Sequence, residues 1–195
     1  MSQLEKACGA CQACCVVLKI QTPQLRKKAG VPCPHLEQKG CGIYDNRPPV
    51  CRAFLCGWRL LPEQDASWRP DLSGVMLLRL AENQISKTYR AAGPGWVFVI
   101  LDGEKAFTPR LGQFIAQMIK RRTAVFLSAM TPRIQINEQL EVSVAAGDID
   151  GIVRILQQTH ALLLPARAPS GFGRIWALYQ AQVDRMRAIM EQRRK

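Results

Sequence analysis

Apolar positions along this chain follow two rhythms after Gly74 and none before it. Residues 74–80 (GVMLLRL), 84–90 (QISKTYR) and 96–101 (WVFVIL) are short runs separated by Glu82-Asn83 and by Gly93-Pro94-Gly95, both turn chemistry, so the pattern predicts three strands. Leu111, Phe114, Ile115, Met118 and Ile119 recur at helical spacing and predict a helix over residues 109–122. Residues 124–128 and 134–136 read as further strands. Asn137 is the expected N-cap of a helix over 138–146 that Gly147 ends, and Asp148 that of a second helix reaching residue 158. The most regular stripe comes last. Phe172, Ile175, Trp176, Tyr179, Val183, Met186 and Met190 fall at steps of three and four, with Arg174, Asp184, Arg185, Arg187 and Glu191 opposite, which predicts a long amphipathic helix. It would dock on the chain's own core or, as a seam of under three heptads, meet a protein partner or a second copy in a homodimer.

Before residue 61 the periodicity fails. Gly9, Gly30, Gly40, Gly42, Pro32, Pro34, Pro48 and Pro49 interrupt any regular element. Residues 11–20 are apolar enough for a short helix or strand, 23–29 (PQLRKKA) suggest a helical turn ending at Gly30, and 61–73 read as a loop. The expected fold is therefore α+β. A small irregular metal-nucleated cysteine module (residues 1–60) packs on an α+β body of undefined role (61–195) with a long C-terminal amphipathic helix.

The metal enters through the cysteines. All eight, Cys8, Cys11, Cys14, Cys15, Cys33, Cys41, Cys51 and Cys56, lie in the irregular stretch of this 195-residue chain. The chain is long and apolar enough to bury a core without disulfide staples. MSQLEKACGACQACC has no charged segment followed by an apolar run, and the longest apolar runs are too short to span a bilayer, so a cytoplasmic protein without a membrane span is expected. Thiols stay reduced there, and dense cysteines bind metal or act in redox chemistry more often than they pair. The formal net charge of +12 points toward acidic partners, but eight thiolates holding two divalent ions would remove four of those charges. Lys6, Lys19, Arg26, Lys27, Lys28, Arg47, Arg52 and Arg59 lie within or beside the cysteine segment, and most read as solvated surface charges.

C-x2-C is a tight chelate, and Cys8, Cys11 and Cys14 make two consecutive steps of it, a spacing found in iron–sulfur sites; zinc sites more often use separated pairs. Neighbouring side chains diverge, so Cys14 and Cys15 would serve two different centres, or one of them none. Two four-cysteine centres would use every sulfur. Arg47 and Arg52 could donate to thiolate sulfur, or bind an anionic substrate. His35 could replace one cysteine as ligand, whereas His160 reads as structural and Tyr44 as packing near the site. Asp102, Glu104, Asp148 and Asp150 sit in turn-like or cap-like contexts and read as structural. There is no Gly-rich phosphate loop, no G-x-G-x-x-G after a strand, no H-E-x-x-H and no C-x3-C-x2-C.

The string C-x2-C-x2-C-C, then Cys33-Pro34-His35-Leu36, Cys41-Gly42-Ile43-Tyr44, Arg47-Pro48 and Cys51-Arg52-Ala53-Phe54, resembles the CxxCxxCC zinc- or iron-chelating domain family, the YkgJ-like cysteine cluster proteins, over residues 8–58. The resemblance implies a chelating module that uses all eight cysteines. Members are described as iron–sulfur oxidoreductases, and a similar module accompanies flagellin lysine methylation. It implies nothing about residues 60–195.

The function expected from the sequence is thus chelation of zinc or iron, the iron as ions or as a 4Fe-4S cluster. An iron–sulfur oxidoreductase or electron carrier is the alternative reading. A zinc-stabilised nucleic-acid binder is the weaker third, because the basic stretches lack interleaved aromatics.

Overall fold

The structure, a computed structural model, describes residues 6–38, 40–130 and 132–164. The helix expected from the stripe between Phe172 and Met190 lies outside the described residues.

The first part of the chain holds only short elements. Helix α1 (Ala13–Val17) leads into the hairpin of β1 (Ile20–Gln21) and β2 (Arg26–Lys27), with Ile20 opposite Lys27. Residues 23–29 therefore do not form the expected helical turn. Thr22 closes the chain on itself instead: its N–H donates to Leu25 O at 3.0 Å, and its hydroxyl oxygen accepts from Leu25 N at 3.1 Å. Pro23 then fits a turn rather than a helix start. A second small hairpin pairs β3 (Leu36–Glu37) with β4 (Gly40–Cys41). Helices α2 (Pro49–Ala53) and α3 (Gly57–Leu60) follow. The stretch expected as a loop contains a 3₁₀ turn, Ala66–Trp68, and α4 (Pro70–Ser73), which Gly74 ends at φ 70°.

The body is a four-stranded mixed sheet in the order β5 (Val75–Leu80), β6 (Gly95–Ile100), β7 (Val125–Ser128), β8 (Arg133–Gln135); β6 and β7 run parallel and the outer pairs antiparallel. The expected strand over 84–90 is absent. The β5–β6 ladder closes with Leu80 opposite Gly95, so residues 81–94 form the loop of a hairpin, and that loop folds into 3₁₀ turns at Glu82–Gln84 and Lys87–Ala92. Ile85 alone among residues 84–90 is fully buried, against Gly95, where a Cβ would come within 2.7 Å of the Ile85 Cγ2.

Helices α5 (Gly103–Ala106) and α6 (Pro109–Lys120) make the crossover between the parallel strands. The Thr108 side chain caps α6 by accepting from Leu111 N, and Asp102 caps α5. Helices α7 (Asn137–Ala146) and α8 (Ile149–Leu163) complete the helical layer, with Asp148 capping α8 as expected. Asn137 is not a cap. It is the first residue of α7, and its buried side chain accepts from Val125 N at 2.8 Å and donates to Thr123 O at 2.8 Å, tying the helix to the entry of β7.

Register decides what each face of the sheet does, because alternate residues point to opposite faces. Phe98 meets Phe114 of α6 at 6.0 Å between ring centroids, so its face lies under the helices. Met76, Leu78, Val97, Val99 and Ser128, linked by the cross-strand pairs Leu78–Val97, Met76–Val99 and Val99–Ser128, form the other face, which looks toward the cysteines. Gly57 approaches so near the sheet that a Cβ would lie 2.4 Å from the Leu77 Cβ. Val17, Cys56 and Trp58 share one apolar cluster with the sheet and helices. Among the described residues no helix is long and apolar enough to cross a membrane.

Candidate metal centre

Local turns aim the cysteines inward. Cys11 N donates to Cys8 O at 3.0 Å, and α1 then carries Cys14 and Cys15 on its first turn. Cys33 N donates to Cys15 O at 2.9 Å, which stitches the second half of the cluster to the first. The turn from Cys33 to Leu36 and the β3–β4 hairpin present Cys33 and Cys41. Pro48, just before α2, lets Cys51 sit within one helical turn, and Cys56 precedes α3. All eight thiols are free, and only Cys56 is fully buried.

Seven of the sulfurs, all but Cys56, line a cavity of about 990 Å³ between this stretch and the open face of the sheet. A smaller adjoining void of about 40 Å³ is lined by Cys8, Cys11, Cys14, Cys51 and Cys56 together with Met76. The thiols act on one another electrostatically. The Cys14 thiol is held protonated, first by its hydrogen bond to Cys15, then by burial and by the charges of Cys15, Cys8 and Cys11. Cys15 is correspondingly favoured as thiolate by the Cys14 hydrogen bond and by Lys27 and Arg47. Burial raises Cys56, and Cys8 adds to it. Burial also raises Cys51, with Cys33, Cys15 and Cys41 adding to it. Cys14 thus feels Cys8 and Cys11, Cys56 feels Cys8, and Cys51 feels Cys33, Cys15 and Cys41, while the hydrogen bond between Cys14 and Cys15 joins the two groups. Among the described residues, however, no three Cys, His, Asp or Glu side chains converge closely enough to form a ready-made metal site. The donors fit zinc or iron in type and number; their convergence would have to come with the metal, because thiolate rather than thiol is the ligand form.

Several basic residues depart from the solvated reading. Lys27 is 7% exposed, and its ammonium donates to the carbonyls of Val16 at 3.0 Å, Lys28 at 3.2 Å and Leu18. Burial lowers its pKa, and the nearby Cys33, Cys15, Cys14 and Cys51 work the other way, favouring the charge. Opposite Ile20 in the β1–β2 hairpin, it is the inward member of its strand. Lys6 donates to the carbonyls of Trp58 at 2.9 Å, Leu61 at 2.7 Å and Gln64 at 2.5 Å. Arg47 borders both cavities, stacks on the Tyr44 ring with its guanidinium carbon 3.6 Å from the centroid, and donates from Nε to Tyr44 O. Arg52 is exposed and borders neither; Arg59 lines the smaller void instead, its Nε buried without a partner among the described residues.

Among the described residues one carboxylate reaches the cluster, and no spacing in the sequence marks it. Asp71 of α4, doubly bonded to Arg69 at 2.7 and 2.9 Å, also accepts from the Cys11 thiol. Burial above all pushes the Cys11 thiol up to about 11, with the Asp71 charge contributing. His35 lines the large cavity. His160 lies away from it on α8, its ring 5.3 Å from that of Phe107. Asp102 and Asp148 have the structural roles expected of them. No protein-family model, no curated protein and no solved structure matches this chain.

Proposed function

We propose that this chain is a metal-chelating cysteine-cluster protein that holds zinc or iron through Cys8, Cys11, Cys14, Cys15, Cys33, Cys41, Cys51 and Cys56. The reading rests on one observation: eight free cysteines border two adjoining cavities, seven on the larger and five on the smaller; from the charges that act between them we assign Cys8, Cys11, Cys14 and Cys56 to one set and Cys15, Cys33, Cys41 and Cys51 to the other. The resemblance of residues 8–58 to the CxxCxxCC proteins supports it. Two sets of four thiolates are the donor complement of closed sites, which carry structure or electrons rather than an open catalytic position. The basic residues suit that chemistry. Lys27 supplies a positive charge beside the second set, and Arg59 donors face the first, so excess thiolate charge is balanced inside the protein. Residues 1–60 then form a module whose stability comes largely from the metal, carried by the α+β body.

Metal content and the visible absorption of protein purified without oxygen test the reading. About two zinc per chain without a visible band would fit closed thiolate sites. Iron with inorganic sulfide and broad visible absorption would move the assignment to the iron–sulfur carrier or oxidoreductase. Protein that takes up neither metal at stoichiometric supply would overturn both.

A further inference from the structure

The large cavity is much roomier than metal ions require, and half its wall has nothing to do with sulfur. Leu78, Leu80, Val97 and Val99 of the sheet form an apolar floor, with Ile20 and Leu25 of the β1–β2 hairpin beside them. A volume of about 990 Å³ lies at the upper end of the range for pockets that take small molecules. Apart from the cysteines, charge around it has one sign. Lys19, Arg47, Arg79 and Arg133 line the cavity, none of its lining residues is Asp or Glu, and none of these four basic side chains forms an ion pair among the described residues. Arg47 spends its Nε on Tyr44 O, which leaves its Nη groups for another acceptor. Arg133 lies over the Phe126 ring at 5.4 Å, at the β8 end of the cavity. The mouth carries exposed apolar side chains: Tyr44 at 39%, Val50 at 38%, Leu55 at 37% and Met130 at 41%. A floor of aliphatic side chains, a rim of guanidinium and ammonium groups and no carboxylate select a ligand with an apolar body and an anionic head.

We infer that this cavity is a binding site for a small amphipathic organic anion, an apolar carboxylate in its simplest form, seated on the sheet beside the cysteines with its head toward Arg47 and Arg133. The site shares its cavity and Arg47 with the cysteines, but its floor and Arg133 belong to the sheet and lie outside the cysteine segment.

Calorimetric titration of the full chain, as purified with its metal, with octanoate and with the neutral isostere 1-octanol tests the inference. Octanoate is expected to bind at least tenfold more tightly than octanol. Leu78→Phe, which fills the floor from a half-buried position, should abolish binding of both; Arg133→Gln, at an exposed position, should weaken octanoate severalfold and leave octanol unchanged. Circular dichroism of each variant confirms that it folds. Equal affinity for the two probes, no binding of octanoate at millimolar concentration, or octanoate binding untouched by both folded variants would overturn the inference. Metal content is measured on the same samples: octanoate bound by metal-free protein would defeat the chelation reading and leave this site standing, and a metal-loaded protein blind to octanoate would do the reverse.

Discussion

Lys27 carries more of the site's physics than its surface-like sequence context suggests. A buried ammonium is tolerated only when its donors are used, and here three carbonyls use them. Lys27→Met keeps the apolar stem but strands those carbonyls and removes the charge beside Cys15, Cys33 and Cys51. The variant should lose about 1–3 kcal/mol of stability by chemical denaturation, and its metal should pass more readily to a competing chelator. His160 offers a pH test far from the cysteines. Burial lowers its pKa, so the unfolded chain, near the usual value of about 6.5, binds a proton more readily than the folded one. Its contribution is intact above that value and is lost as pH falls through it toward the lower folded pKa. Stability should therefore decline from about pH 7.5 to 5.5, and His160→Phe should flatten that part of the curve; an unchanged slope would remove His160 as its source. At this scale the clustering of the cysteines was legible, because all eight lie close together in the sequence. Lys27, Arg59 and Asp71 were not. A lysine's burial depends on which way a two-residue strand faces, and Asp71 meets Cys11 only through a fold that brings α4 back to the start of the chain.

Elements read from periodicity survive where burial is one-sided and long enough. Helix α6 and strands β5, β6 and β7 were visible for that reason: each presents an unbroken apolar set to a partner layer. Residues 84–90 and 23–29 misled for the opposite reason. Each offers one or two apolar positions, too few to outweigh a hairpin loop in the first case or the Thr22–Leu25 turn in the second. Asn137 shows how a correct boundary can hide a different role. Asn137→Ala should cost about 2 kcal/mol, more than loss of an exposed cap, because it strands the Val125 N–H and the Thr123 carbonyl in the interior; Asn137→Asp should cost at least as much, because its second oxygen would face the Thr123 carbonyl without a proton to share. Gly57→Ala should cost about 1–3 kcal/mol, since the neighbouring Leu77 Cβ cannot swing aside. Gly93→Ala is its control. A Cβ there meets nothing within 4 Å, so any cost at φ 86° comes from the backbone alone.

For the whole molecule, the proposed four-and-four division makes a prediction that no single residue makes. Cys56→Ser and Cys33→Ser should each remove about half of the bound metal, from different centres. Cys8→Ser combined with Cys56→Ser should lose no more metal than Cys56→Ser alone, while Cys33→Ser combined with Cys56→Ser should lose nearly all of it. Uniform losses across every pair would instead indicate one shared centre. The sequence foretold an α+β fold and a crowded cysteine segment, but not that the segment would roof one face of the sheet. That arrangement depends on register, which places Met76, Leu78, Val97 and Val99 together, and no local pattern encodes it.

The Lys6 ammonium grips the carbonyls of Trp58, Leu61 and Gln64, so the chain enters and leaves the cysteine segment at nearly the same point. The segment is in effect a closed ring set into the molecule, its two ends pinned by one side chain. Because the cost of closing such a ring grows only logarithmically with its length, residues can be added to or removed from its interior turns while the pinned ends stay in place. The interior turns of the cysteine segment can thus change in length while Val17, Cys56 and Trp58 keep their places in the shared core.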